Sequence, residues 1–151
     1  MREITFAFVK PHAYPDRKRI EAMIEEAGLK IIIRKDPYHF NRAIAELQYE
    51  MHRGKHFFDE LIEMILEGPT ELLIIEGEDA VNKLMTLSGA TDPAEAEENT
   101  IRKIFGKDKG HNAFHRSDSK QSVRREILIH FAASELPEDV IKEIINYETT
   151  K

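Results

Sequence analysis

The stretch Asn112-Ala113-Phe114-His115-Arg116-Ser117-Asp118-Ser119 sets an imidazole between an amide and two hydroxyls, just ahead of a helical segment. One nitrogen of such a ring can attack an electrophile while the other is held by an acceptor, which makes His115 a candidate nucleophile. Ser117 and Asn112 are spaced to orient it, and the N-terminus of the following helix favours a phosphate nearby. The same residues also read as a polar surface turn in which Ser119 only caps the helix, because Asn, Asp and Ser favour turns for backbone reasons. Lys10 is a second candidate. It ends an apolar run, which is where a sheet edge meets ligands, or where a strand simply exits to solvent. His52 and His56 stand four apart, a spacing that puts two metal ligands on one helical face, but Gly54 intervenes and no third ligand stands out.

These residues need elements to hold them. Residues 4–9 are apolar on both alternating faces and predict a central, buried strand ended by Lys10-Pro11. Asp16 is a plausible cap for a helix whose Ile20, Met23, Ile24 and Ala27 form a core stripe and which Gly28 stops. A second strand covers 30–34, and Asp36-Pro37 breaks or bends it. Asn41 caps a short helix carrying Ile44, Leu47 and Met51. Gly54 interrupts, and Phe57-Phe58 start another helix that Gly68-Pro69 stops. Residues 72–75 form a third strand. A helix follows from Glu78 or Asp79 to Gly89, then a loop capped by Asp92 with Pro93 at the first helical position, closed by Thr100-Ile101-Arg102. Ser119 caps the next helix with Val123, Ile127 and Phe131 inward, and Ile127-Leu128-Ile129 reads as buried all round, in part as a contact surface. A last helix runs from Leu136-Pro137-Glu138 to about Tyr147, before a polar tail. A final strand can hide around Ala113-Phe114. This order predicts one α+β domain over 1–151, an antiparallel sheet with helices on one face, nearest to the split βαβ of ferredoxin-like folds.

Composition narrows the function. The 151 residues suit one domain with a real core, and 41% hydrophobic with 33% charged content is typical of a soluble globular chain. No apolar run approaches the roughly 20 residues of a membrane helix, and no signal-peptide pattern opens the chain. Cysteine is absent, which excludes disulfides and thiolate metal sites and fits a cytoplasmic setting. A formal net charge of −6 argues against bulk attraction to nucleic acid or anionic membrane but leaves room for a local basic pocket. Arg17-Lys18-Arg19 and Arg124-Arg125 read as solvated helix faces. The seven glycines are scattered, with no P-loop, no protein-kinase glycine loop and no His-Arg-Asp set.

The histidine stretch resembles the active-site signature of nucleoside diphosphate kinases, Asn-x-x-His-Gly-Ser-Asp-Ser, matching at Asn112, His115, Ser117, Asp118 and Ser119. Other matching segments recur in order from about Thr5 to Phe131: Phe8-Val9-Lys10-Pro11, Tyr49 to Phe58 with Gly68-Pro69, and Gly89, Thr91, Pro93, Thr100, Ile101 and Arg102. The resemblance implies a ferredoxin-like fold and transfer of a γ-phosphoryl group between nucleoside tri- and diphosphates through a phosphohistidine at His115, with ping-pong kinetics. It implies that Glu126 holds His115 together with Ser117, that Lys10, Tyr49, Thr91, Arg102 and Asn112 meet ribose or phosphate, and that Phe57 stacks on the base with support from Leu61. It implies Mg²⁺ carried by the nucleotide phosphates, with no protein-held metal, and a homo-oligomer, tetramer or hexamer.

Departures from the pattern bear on activity. Met85 stands where the family carries a second phosphate-binding arginine, and losing such a charge-assisted hydrogen bond costs about 1.5–3 kcal/mol. Arg116 replaces the glycine after the histidine. It either crowds the turn, if that backbone needs φ > 0, or restores the missing cation. Lys83 is a second possible substitute. His12-Ala13 replaces the usual Asp-Gly, and Lys109 takes an apolar residue's place across from the aromatic. The departures motivate an alternative, a nucleotide-binding or scaffold domain of the same fold with little turnover.

Overall fold

A computed structural model describes residues 2–148; the end of the polar tail lies outside them. The elements in order are β1 (Glu3–Val9), α1 (Arg17–Glu26), β2 (Lys30–Tyr38), α2 (Arg42–Gln48), α3 (Phe58–Ile65), β3 (Thr70–Gly77), α4 (Ala80–Ser88), α5 (Ile101–Phe105), β4 (Phe114–Arg116), α6 (Lys120–His130) and α7 (Glu138–Ile145). The four strands form one antiparallel sheet in the order β2-β3-β1-β4. In β1-α1-β2 the two strands are separated by β3, the split βαβ of the ferredoxin-like topology.

Helices cover both faces of this sheet, where one covered face was expected. The reason is in β1 and β3, which are apolar on alternate residues in both directions and must be shielded twice. Ile4, Phe6, Phe8, Leu72 and Ile74 pack against Ile62 and Ile65 of α3, Val123 and Ile127 of α6, and Val140 and Ile144 of α7. Ala7, Val9, Leu73 and Ile75 pack against Ile20 and Ile24 of α1, Ala80 and Leu84 of α4, and Ile101 of α5.

Local chemistry sets the boundaries. α1 ends in a Schellman motif: Leu29 N–H donates to Ile24 O, Gly28 N–H donates to Glu25 O, and Gly28 sits at φ +88°. Asn41, Asp92, Thr100 and Ser119 each accept a backbone N–H at a helix start. Asp16 makes no such bond; a 3₁₀ turn over Pro11–Asp16 feeds α1 instead. β2 runs through Asp36-Pro37 to Tyr38, with an irregular register past Lys35. It is an edge strand, where a proline's missing N–H is tolerated. Leu128 is 51% exposed, so the Ile127–Ile129 segment is buried on one side only. Among the described residues, no helix is long and apolar enough to cross a membrane.

Candidate active site

β4 is short and lies at the sheet edge, so its position is set by β1. Phe8 pairs with His115, and the two rings stack at 4.6 Å and 22°. Lys10 N–H donates to Ala113 O at 2.9 Å, and Ser117 N–H donates to Phe6 O at 2.9 Å, which fastens both ends of β4. Ala113 bends the chain into this register at φ +77°, a left-handed conformation that costs a non-glycine residue roughly 1–2 kcal/mol. The left-handed position is therefore Ala113, and Arg116 lies in extended strand with no backbone strain.

The imidazole is held from α6. His115 Nε2 lies 2.7 Å from Glu126 Oε1, and Ser117 Oγ donates to the same oxygen at 2.9 Å. A carboxylate only accepts, so Nε2 carries the proton and Nδ1 keeps the free lone pair. Glu126 is buried. Burial raises its carboxyl, but the adjacent His115 and the donors from Ser117 and Gln48 outweigh that and hold it below the usual range. This chemistry suits a nucleophilic ring whose far nitrogen sits on a buried anion.

Basic side chains and unpartnered polar atoms gather near the ring. Lys10 is buried, and its Nζ donates to Gly110 O at a long 3.4 Å. Burial first, and Arg102 second, lower its ammonium to about 7. Arg102 is anchored by backbone: Nε and Nη2 donate to Phe114 O at 3.2 and 2.8 Å, and Nη1 donates to Gly89 O at 3.0 Å. Burial and then Arg116 lower it to about 10. Tyr49 Oη, Asn112 Oδ1 and Arg116 Nε are buried with no hydrogen-bond partner among the described residues. Tyr49 lies close enough to Glu126 and Arg102 to feel both charges, and burial raises its hydroxyl. Three neighbouring basic side chains and a buried hydroxyl form a set that fits phosphate oxygens, beside Glu126, which is already committed to His115 and Ser117.

Other expected residues are placed less tightly. Asn112 Nδ2 donates to Thr91 O at 3.0 Å, while Thr91 itself is exposed. The ring of Phe57 is 5.3 Å from that of His52, which is 6.4 Å from that of Tyr49, so one aromatic row lines the hairpin between α2 and α3. Leu61 is half-buried against the core. Lys109 is exposed at the loop tip. Met85 packs against the apolar cluster under His115. Lys83 is not brought to the site: two residues from Met85, it projects with Asp79, Asn82 and Leu87 towards Ala27. His52 Nδ1 contacts Lys55 Nζ at 3.2 Å, and His56 stands edge-on to Phe57. Among the described residues, no group of three or more His, Asp or Glu side chains is placed to hold a metal ion.

Gln48 and His130 escaped the sequence reading, and both are buried here. Gln48 Nε2 is 3.3 Å from His115 Nε2, and Gln48 Oε1 is 2.6 Å from His130 Nε2. The available signal was spacing: His130 lies four residues after Glu126, on the same helical face.

A model of the nucleoside diphosphate kinase family matches residues 3–136. Nucleoside diphosphate kinase of Rickettsia prowazekii is 40% identical over 138 residues, covering 90% of this chain and 98% of the relative. That of Phenylobacterium zucineum is 38% identical with 90% and 99% covered. The crystal structure of the Aquifex aeolicus enzyme superposes with a TM-score of 0.83 at 37% identity, covering 91% of this chain and all of that one. The Halobacterium salinarum enzyme, described in complex with CDP, superposes at 0.83 and 34% identity, with 95% and 99% covered. With the signature, the sheet order and the held histidine in agreement, the chain belongs to the nucleoside diphosphate kinase family.

Proposed function

We propose that this chain, as one domain over residues 1–151, transfers the γ-phosphoryl of a nucleoside triphosphate to a nucleoside diphosphate through His115. The carrying observation is the 2.7 Å contact between His115 Nε2 and Glu126, which leaves Nδ1 as the attacking nitrogen. Its lone pair forms the N–P bond as the bond from phosphorus to the β-bridging oxygen breaks. The diphosphate leaves, and the positive charge on the ring is balanced by Glu126. No proton has to move, because Nε2 keeps its own. The second nucleotide reverses these steps, which gives ping-pong kinetics. The relatives' names and the CDP described with the H. salinarum enzyme support nucleotide partners.

Lys10, Tyr49, Arg102, Thr91 and Asn112 would hold phosphates and ribose, and Phe57 with Leu61 would receive the base, whose π-face suits any aromatic. Arg116 is the substitute for the cation absent at Met85, supported by its unpartnered buried Nε and its effect on Arg102. Glu126 is committed to His115 and Ser117, so the donors here suit phosphate oxygens and not a protein-held cation. Mg²⁺ carried on the nucleotide would neutralise charge spread over the transferring group. A cytoplasmic homo-oligomer, tetramer or hexamer, completes the proposal, with exposed Leu47, Met51 and Leu128 as available apolar surface. The scaffold reading is not favoured, because relatives at 40% identity are named as the kinase.

A coupled assay with ATP and a second nucleoside diphosphate tests this. Wild-type protein exchanges phosphoryl groups, and His115→Ala does not. Turnover that survives in His115→Ala overturns the proposal. Arg116→Gly weakens nucleotide binding or rate roughly tenfold to a hundredfold; unaltered kinetics remove Arg116 from the site.

A further inference from the structure

Three residues from three elements meet behind Glu126 and are not used in the reaction above. Tyr38 ends β2, Gln48 ends α2, and His130 ends α6. His130 Nε2 lies 2.6 Å from Gln48 Oε1, and His130 Nδ1 lies 2.8 Å from the Tyr38 hydroxyl. The His130 ring is clamped by aromatics, stacked on Phe6 at 5.5 Å and edge-on to Phe40 and Tyr38. Burial keeps it neutral, lowering it to about 3.

The direction of every hydrogen bond in this set can be assigned. An amide oxygen only accepts, so His130 Nε2 carries the ring's one proton and donates to Gln48. Nδ1 is then an acceptor and receives the Tyr38 O–H. With its oxygen on His130, Gln48 turns its NH₂ towards the catalytic pair, where Nε2 lies 3.3 Å from His115 Nε2; that ring nitrogen already carries a proton and cannot accept, so the amide donates to Glu126 and helps hold it ionised. The reverse amide orientation would set an amide oxygen against the Glu126 carboxylate, two acceptors with no proton between them. The chain Tyr38 → His130 → Gln48 → Glu126 therefore has one self-consistent polarity, and it ends on the carboxylate that holds His115 Nε2–H.

We propose that Tyr38, His130 and Gln48 are positioning residues that lock Glu126 as an acceptor and so fix the His115 tautomer that leaves Nδ1 free. The inference rests on His115 being the nucleophile. Locking matters because a buried carboxylate needs its donors: His115, Ser117 and Gln48 supply three, and each one lost makes Glu126 easier to protonate. The other titratable and charged groups facing this pair are Tyr49, His52, Arg116 and His130. All four remain in a Gln48 variant, so a shift in that variant reports on Gln48.

The test uses full-length His130→Phe, Gln48→Leu, their double variant and Tyr38→Phe. Phenylalanine keeps the aromatic clamp around position 130 and removes both hydrogen bonds. The readouts are the pH profile of kcat, the KM for ATP, and the imidazole ¹⁵N shifts of His115. In Gln48→Leu and His130→Phe, kcat falls roughly tenfold with KM little changed, and its acid limb moves up by about one pH unit. The His115 ¹⁵N pattern departs from a single Nε2–H tautomer. The double variant is no worse than Gln48→Leu, because His130 acts through Gln48. Tyr38→Phe shows the same signature with about a threefold loss, and it carries the test if His130→Phe does not fold. A wild-type acid limb and ¹⁵N pattern in these variants, or losses that add in the double variant, overturn the proposal. A wild type that never forms phosphohistidine overturns the His115 reading itself; a labelled wild type with unchanged variants overturns only the relay.

Discussion

At the scale of residues, Lys10 connects burial to ligand chemistry. Burial, and then Arg102, lower its ammonium from 10.5 to about 7. A folded-state value below the unfolded one means that its stability contribution is present above 10.5 and lost as pH falls through about 7, where the buried amine must charge. A bound triphosphate reverses the balance by giving the ammonium an anion. Nucleotide binding between these limits is therefore expected to take up close to one proton. Calorimetry in buffers of different ionisation heat measures this, and Lys10→Met abolishes it. Binding heats that do not depend on the buffer contradict it. His115, Ser117, Lys10 and Arg102 were legible as candidates because each stands inside a recognisable segment, and Glu126 only through the resemblance. The Tyr38–His130–Gln48 chain was not, because it joins side chains 82 and 92 residues apart that only packing brings together. Ala113 was missed because nothing in an alanine announces a positive φ.

At the scale of elements, the turn after α4 sets Arg102. Gly89 has φ +86°, and a Cβ there would meet Thr100 Oγ1 at 2.5 Å and Thr100 Cβ at 2.8 Å. Its carbonyl takes one of the Arg102 donors, and Thr100 caps α5, which carries Arg102. Gly89→Ala is expected to destabilise the protein by more than about 1 kcal/mol and to raise the KM for nucleotide, because strain and clash act on the same turn. Chemical denaturation and steady-state kinetics read the two effects. An unchanged midpoint with unchanged KM contradicts the coupling. Helices with a clear apolar stripe and a cap were read close to their true bounds. Both α5 and β4 defeated periodicity through brevity, with 5 and 3 residues. Asp36-Pro37 suggested an end to β2, but an edge strand can carry a proline and continue.

At the scale of the molecule, a pair of acids lies in the layer between α1 and the sheet. Glu21 accepts from Arg34 at 2.9 and 3.1 Å and from Lys18 at 3.3 Å. Burial raises its carboxyl, but the neighbouring Glu71 carboxyl, and then these cations, outweigh that and lower it. Glu71 is buried on β3 beside Glu21. Burial, then the neighbouring Glu21, raise it above the ordinary 4.5. Because its folded value is raised, the contribution of Glu71 is full below 4.5 and lost as pH rises through the folded value. Glu71→Gln is expected to flatten the fall in Tm with rising pH and to lift Tm at alkaline pH by a few degrees, about 2–4 °C for each kcal/mol. A variant that tracks wild type at every pH contradicts this. The two-sided packing of the sheet was implicit in the doubly apolar β1, although the helix order alone suggested one covered face.

All of this serves one imidazole, and it can be watched directly. Intact-mass measurement with phosphohistidine detection, after incubation with ATP and Mg²⁺, should show one phosphoryl group on wild-type protein. The group should map to His115, leave on addition of a nucleoside diphosphate, and be absent from His115→Ala. No label on wild type, or equal label on His115→Ala, would contradict the account.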